Sequence, residues 1–375
     1  MRVELPEPGP EERVHSERLL TLIRAEIAAA GGAIDFARYM ELALYAPGLG
    51  YYSAGAAKFG AGGDFVTAPE LGFVFARCLA RALAPTLRET RGDLVELGPG
   101  SGALAVDLLL ELERFEALPA RYRLLERSAD LRQRQRERIA QHCAHLENIV
   151  EWLDTPPAQP WRGVLVANEV ADALPVRLFA LRDEGLFARA VGADATGHLT
   201  WREVPADAAL EHDVALALGA QMPTLPRPYL SEVRPMLKPW LAEVTQTLEQ
   251  GAAWFIDYGC GSDAYYAADR RDGTLLCHYR HRAHDDPFFL PGLQDITAWV
   301  DFGALLAAAA AVGLSADAIT SQAHFLIAHG LDAVFMAGHE QAGSEAERYR
   351  LAQEVKRLTL PDQMGERFKV AVLRR

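Results

Sequence analysis

Apolar residues along this chain recur with two different spacings, and the switch between them outlines the elements. Val14 to Ala30 carries an apolar face at helical spacing and is ended by Gly31-Gly32. Ile34 to Tyr45 repeats the pattern and stops before Pro47-Gly48, and a further helix is expected from about Leu71 to Leu87. Strand-like runs then alternate with helical ones: strand Leu94–Leu97, helix 103–113, strand Tyr122–Glu126, helix 128–142, a short strand near Ile149–Trp152 and strand Val164–Asn168. Later come a helix over Tyr229–Gln250, strand Ala252–Tyr258, a helix at 301–313, a strand near His324–Ala328 and a last strand Arg367–Leu373. Such alternation implies an α/β domain with a mostly parallel sheet. From Val176 to Pro205 short strands separated by Gly/Asp turns predict an antiparallel insertion, extending to about residue 228. Residues 260–300, rich in His, Tyr, Asp and Pro, read as an irregular loop region. The expected organisation is an N-terminal helical region, 1–90, acting as a lid over an α/β domain, 91–375.

The sharpest local signal is Asp93-Leu-Val-Glu-Leu-Gly-Pro-Gly-Ser-Gly102, a strand that ends in a glycine loop and opens directly into a helix. This is the nucleotide-binding corner of a doubly wound fold. Gly98, Pro99, Gly100 and Gly102 bring backbone close to a ligand and helix close to strand. Glu96, immediately before the loop, would repel the pyrophosphate of a dinucleotide, but it suits S-adenosylmethionine, whose methionine end carries an ammonium and a sulfonium. Glu126, at the end of the next strand, is placed to accept hydrogen bonds from ribose hydroxyls. It would serve NAD equally well, so a dinucleotide oxidoreductase stays as an alternative opposed by Glu96. Asn168, at the end of a further strand, and Asp154, placed to accept from an adenine amino group, are taken with the donor site; a surface acid is the plain reading of Asp154.

Composition narrows the function. Half of the 375 residues are apolar, enough for a sizeable core, and the formal net charge of −13 disfavours a nucleic-acid partner while fitting a cationic one. Cys78, Cys143, Cys260 and Cys277 are scattered, which suggests neither a zinc site nor a disulfide framework. With no charged-then-apolar leader pattern and no apolar stretch long enough to span a bilayer, the expectation is a cytoplasmic protein. His278, His281 and His284 have a spacing that would fit one helix face, but intervening arginines and Pro287 favour a solvated or substrate-facing loop over a metal site. The charged helix Leu131–Arg138 reads as a solvated face.

The chain resembles the MidA-type methyltransferases, whose mitochondrial members assist assembly of respiratory complex I. The matching segments are Gly63-Asp-Phe-Val-Thr-Ala-Pro-Glu70, Val95–Gly102, Ala167-Asn-Glu-Val-Ala-Asp-Ala-Leu-Pro175, Phe255-Ile-Asp-Tyr-Gly259, Asp295–Phe302 and Met364–Lys369. They run in family order over nearly the whole chain. The resemblance implies a class I methyltransferase fold: a Rossmann-like, mostly parallel seven-stranded sheet with an antiparallel last strand. It also implies bound S-adenosylmethionine and a protein arginine as acceptor, with a respiratory-complex subunit as the partner. Val170-Ala171, Ser101 and Trp299 depart from the family pattern, and these departures bear on the acceptor more than on the donor.

An arginine guanidinium is always protonated in water, and carboxylates can hold it bidentately and take up its proton as the new bond forms. If a helix starts after Asn168, Glu169 and Asp172 lie three apart on one face and clamp the acceptor. The plainer reading makes Asp172 a helix cap and Glu169 a solvated neighbour. Asp64, Phe65 and Thr67 belong to the lid segment and would close over the donor, or simply form a turn before Pro69. Asp257 and Tyr258 end a strand on the same rim and would line the acceptor channel, unless Tyr258 only packs; Asp295, with Asp285, Asp286 and Asp301, would draw in a cation. A small-molecule acceptor, or a donor-binding assembly factor with little turnover, remain alternatives.

Overall fold

The computed structural model describes residues 5–54 and 67–375. Helix α1 (Pro10–Ala29) begins with proline, which needs no amide hydrogen there, and with Glu11 and Glu12 at the positive helix end. Gly31 and Gly32, both at positive φ, turn the chain into β1 (Ala33–Ile34) and α2 (Phe36–Tyr45), which Asp35 caps through the Ala37 amide. After α3 (Ala68–Leu71) and α4 (Val74–Thr90) the alternation sets in: β2 (Asp93–Leu97), α5 (Ala103–Arg114), β3 (Tyr122–Leu125), α6 (Ala129–His142), β4 (Val150–Leu153) and β5 (Trp161–Asn168). The insertion follows as β6 (Arg177–Arg182), β7 (Gly185–Ala193), β8 (Leu199–Pro205), α7 (Ala208–Leu218) and β9 (Tyr229–Val233). The chain returns through α8 (Leu237–Thr245) to β10 (Leu248–Cys260), then α9 (Ser262–Tyr265), β11 (Leu276–Tyr279), β12 (Arg282–His284), β13 (Asp295–Thr297) and β14 (Val300–Asp301). It ends with α10 (Phe302–Ala311), β15 (Ser315–Ala316), β16 (Thr320–Ser321), α11 (Gln322–Ala328), α12 (Leu331–Gln341), α13 (Glu345–Thr359) and β17 (Phe368–Arg374).

The main sheet runs β15-β17-β10-β5-β2-β3-β4, with β14 beside β10 and β16 beside β17. The pairs from β10 to β4 are parallel, and β17 is antiparallel to β10. Val164 to Ala167 of β5 are buried in succession, as expected of a strand covered on both faces. One face packs under α4, α5, Ile139 of α6 and the helices α11 to α13; the other packs under α8 and α10. The strand order reverses at β2, which has β3 on one side and β5 on the other, so a ligand crevice is expected at its carboxyl end.

A second, antiparallel sheet, β1-β7-β6-β9 with β8 on β7, joins the insertion to the N-terminal segment. Leu19, Ile23, Phe36 and Tyr39 of α1 and α2 share a core with Val176, Val191, Cys277 and Ile296. The stretch expected as one helical lid therefore divides. Its first two helices pack on the insertion, whereas α4 packs behind the main sheet.

Three expected elements differ. The helix read over Tyr229–Gln250 is β9, a turn, α8 and the start of β10. Pro235, which cannot continue a helical hydrogen-bond ladder, falls in that turn. The strand expected near His324–Ala328 is helix α11, burying Phe325 and Leu326 but leaving Ile327 exposed; so short an apolar run has no decisive period. The region read as irregular contains the three-stranded sheet β12-β11-β13. His278 and His284 lie on its neighbouring strands, with His281 at the turn between them. No described helix is long and apolar enough to cross a membrane.

Candidate active site

The glycine corner is built as its sequence requires. Gly98, Gly100 and Gly102 have φ of 59°, 53° and 80°, the left-handed region that L side chains rarely adopt. A Cβ on Gly98 would lie 3.1 Å from Val170 Cγ2, and one on Gly102 3.2 Å from Gln135 Cγ, so a side chain at either position would also press on a close neighbour. Glu96, 3% exposed, accepts a 2.8 Å hydrogen bond from the Tyr122 hydroxyl, and burial pushes its carboxyl up to about 7. Glu126 accepts from the Ser128 amide at 2.8 Å and from Gln135 Nε2 at 3.3 Å, with burial again raising its pKa.

Gln135 is the residue that sequence reasoning missed here. Its Nε2 also donates to the Gly100 carbonyl at 2.8 Å, and its Oε1 accepts from Trp152 Nε1 at 2.9 Å. One fully buried amide thus ties the glycine loop, the ribose-type acid and β4 together. The signal was present: Leu131, Gln135 and Ile139 form a buried stripe at intervals of four on the helix that otherwise reads as solvated.

Asp154 does not join this group. Its side chain is 80% exposed and accepts from Arg132 Nη2 at 2.6 Å, and it is not among the residues lining the cleft. Thr67 does line the cleft, at the N-terminus of α3. Asp64 and Phe65 lie outside the described residues. Helix α3 is fastened to the glycine loop by Glu70, which accepts from the Ser101 hydroxyl, while Arg138 donates to the same hydroxyl at 2.5 Å.

Across the cleft, Glu169 stands immediately after β5 with φ of 53°, a left-handed conformation that a non-glycine residue holds only at a cost of roughly 1–3 kcal/mol. Its amide is fixed to the Ile256 carbonyl at 2.8 Å, and its Oε1 accepts from Asn168 Nδ2 at 3.2 Å and the Ala68 amide at 3.4 Å. Burial, and then the charge of Asp172, pushes its carboxyl up to about 8. Asn168 Oδ1 is buried beside the same cleft, with no hydrogen-bond partner among the described residues.

The expected helical clamp does not form, because no helix follows Glu169. Asp257 Oδ2, at the end of β10, accepts from the amides of Ala171 at 3.1 Å and Asp172 at 3.2 Å and holds this stretch as a turn. Asp172 consequently points inward, 5% exposed, accepting from its neighbour Ala173 N at 2.9 Å and from the Tyr258 hydroxyl at 2.5 Å. Asp257 and Asp295 are buried as well, the latter accepting from the Tyr52 hydroxyl at 2.9 Å. Burial, then the neighbouring Asp172 and Glu169, raises Asp257 well above the usual carboxylate range. Asp172, Asp257, Tyr258 and Asp295 therefore form the wall behind the cleft, and of the proposed acceptor acids Glu169 alone lines it. Arg234, which sequence reasoning also missed, braces this wall by donating to the carbonyls of Asp172, Leu174, Ala298 and Trp299 at 2.9–3.2 Å.

As the described residues outline it, the cleft measures about 1350 Å³. That exceeds the roughly 300–1,000 Å³ of ordinary small-molecule sites and leaves room for a donor and part of an acceptor. The donor end fits S-adenosylmethionine: close-approach backbone at the three glycines, a buried acid for an ammonium at Glu96 and an acid for hydroxyls at Glu126. A sheet of this order, with its cleft at the reversal point and these acids in place, defines a class I methyltransferase.

The comparisons agree. Residues 78–320 match the model of an S-adenosyl-L-methionine-dependent methyltransferase family, and the chain belongs to that family. A crystal structure from Burkholderia thailandensis bound to S-adenosyl-homocysteine superposes with a TM-score of 0.93 at 42% identity, covering 99% of this chain and 95% of that one. The mitochondrial protein arginine methyltransferase NDUFAF7 of Danio rerio is 28% identical over 389 residues, 91% of this chain and 83% of its own. Its Homo sapiens counterpart is 28% identical over 379 residues, covering 91% and 80%. These relatives support the MidA-type resemblance of the motifs.

Proposed function

We propose that this methyltransferase acts on the guanidinium of a protein arginine. The observation that carries the reading is Glu169: a carboxyl group held in the cleft by a strained backbone, with buried acids behind it. The donor supplies a methyl group on a sulfonium, whose transfer forms an N–C bond as the S–C bond breaks and leaves a neutral thioether. Glu96 and Glu126 hold the donor, and Gln135 keeps the glycine loop in register beneath it. Glu169 accepts hydrogen bonds from the guanidinium, orients one nitrogen towards the methyl group and takes the proton that this nitrogen loses. A carboxyl raised to about 8 retains that proton until solvent removes it. A protein acceptor is supported by the size of the cleft and by the relatives named as protein arginine methyltransferases. By family resemblance, a respiratory-complex subunit is the partner to test first. The four cysteines are free and three are buried, which supports a reducing compartment, and the cytoplasm is the location we propose.

The test is to incubate the protein with methyl-labelled S-adenosylmethionine and the proteins of a strain lacking its gene, then hydrolyse them to amino acids. Labelled methylarginine, absent with Glu169→Gln, is the expected result. Label confined to other residues or to small molecules overturns the arginine reading.

A further inference from the structure

Two tyrosines line the same cleft as Glu169, and the reaction as described leaves them without a role. Tyr45 is the last residue of α2, and Tyr52 follows in the next turn. Their rings stack, with centroids 5.6 Å apart and planes 23° from parallel. Each hydroxyl is already committed: Tyr45 donates to the Ala173 carbonyl at 2.9 Å and Tyr52 to Asp295 Oδ1 at 2.9 Å. A phenol has one proton to donate, so neither hydroxyl is left to donate to a ligand. What the pair offers the cleft is ring surface, and Tyr45 remains 39% exposed despite its anchored hydroxyl.

We propose that Tyr45 and Tyr52 form an aromatic wall that receives the planar acceptor guanidinium while Glu169 binds its edge, making the site selective for arginine over lysine. The inference rests on the arginine reading given above. Three features support it. An aromatic face attracts a cation, and a guanidinium also stacks on it, whereas an ammonium is compact and strongly hydrated. The C-terminal end of α2, where Tyr45 sits, is the negative end of its helix dipole. The hydroxyl bonds fix the stack to the same wall: Ala173 lies in the turn that Glu169 begins, and Asp295 is one of the buried acids behind it.

The test titrates N-acetylarginine methylamide and the matching lysine compound into the full-length protein saturated with S-adenosylhomocysteine, with affinities read by NMR. The arginine compound is expected to bind more tightly than the lysine one. Tyr45→Leu and Tyr52→Leu are expected to weaken it by about 3- to 30-fold, the span of a cation–π contact. Tyr45→Phe and Tyr52→Phe, which keep the ring, are expected to stay within about twofold. No arginine preference, unchanged binding in the leucine variants, or a loss in the phenylalanine variants as large as in the leucine ones each overturns the proposal. If a leucine variant fails to fold, the ring-proton signals of Tyr45 and Tyr52 in the wild-type titration decide: the arginine compound is expected to shift them, and unmoved ring signals overturn the proposal. If the labelling experiment yields methylarginine while these affinities stand still, only the aromatic wall is rejected; if the wild-type protein yields none, the arginine reading itself fails.

Discussion

At the donor end of the cleft, each acid already has uncharged partners: Glu96 has the Tyr122 hydroxyl, and Glu126 has the Ser128 amide and Gln135. At the acceptor end, Glu169, Asp172, Asp257 and Asp295 crowd together, and the nearby guanidinium of Arg234 is committed to backbone carbonyls. The donor end is thus organised by hydrogen bonds within the protein itself. The acceptor end stores unfavourable charge, relieved by protons in the free protein and by a cation in the complex. An arginine entering such a site gains from the neutralisation it brings, which ties acceptor binding to the ionisation of Glu169.

The largest break in this comparison should come from Glu169→Gln. Turnover is expected to fall by about 10²- to 10⁴-fold, the usual range for losing a general base, while donor affinity by calorimetry changes no more than about twofold. The pH dependence sharpens the point. In the wild-type protein kcat/KM should rise with pH and level off above about 8, where Glu169 is ionised without help, and the glutamine variant should lose that rise. Stability moves the opposite way. A carboxyl whose folded pKa lies near 8, against about 4.3 unfolded, leaves the native state with more bound protons between those values. Its contribution is present below about pH 4.3 and is lost as pH rises towards 8. Thermal unfolding of the ligand-free protein should show wild type losing stability over that window more steeply than Glu169→Gln.

Glu96→Ala addresses the other end. It removes an acid for the donor's ammonium and leaves the buried Tyr122 hydroxyl without its acceptor. Donor affinity should fall about 10- to 100-fold, as expected for a hydrogen bond to a charged group. Because burial holds Glu96 up at about 7, wild-type affinity should also weaken below that pH as the acid must first lose a proton. Calorimetry at pH 6 and pH 8 checks both statements. Gln135→Ala should cost less, about 3- to 10-fold in donor affinity, since it removes neutral hydrogen bonds that act through the loop rather than on the ligand.

The same contrast explains what the sequence made legible. The donor corner is local: strand, glycines, helix and both acids fall within 34 residues, Asp93 to Glu126, so spacing alone places them. Gln135 escaped notice because the charges of α6 mask its buried stripe. The acceptor wall is assembled from distant segments. Asp172 turns inward because Asp257, 85 residues further on, captures its amide, and no local pattern announces that. Tyr45 and Tyr52 come from the N-terminal layer, and Arg234 follows a strand whose apolar spacing also fitted a helix. The parallel character of the main sheet was readable from alternation, whereas the joining of β1 to β7 was not, since a two-residue strand leaves no period.

The smallest expected effect is the most pointed test of where the donor end stops. Spacing after β4 suggested that Asp154 receives the adenine amino group, but its carboxylate faces solvent and pairs with Arg132. A pair whose carboxylate is this exposed is worth about 0–1 kcal/mol, and without it the largely buried Arg132 keeps its bonds to the carbonyls of Glu126 and Leu153. Asp154→Asn should therefore leave the affinity for S-adenosylmethionine within about twofold of wild type, against the larger loss in Gln135→Ala. Side-by-side calorimetry of the two variants decides the matter. A tenfold or greater loss in Asp154→Asn would mean that the ligand draws this acid in from the surface, and the donor end would then be completed on binding rather than organised beforehand.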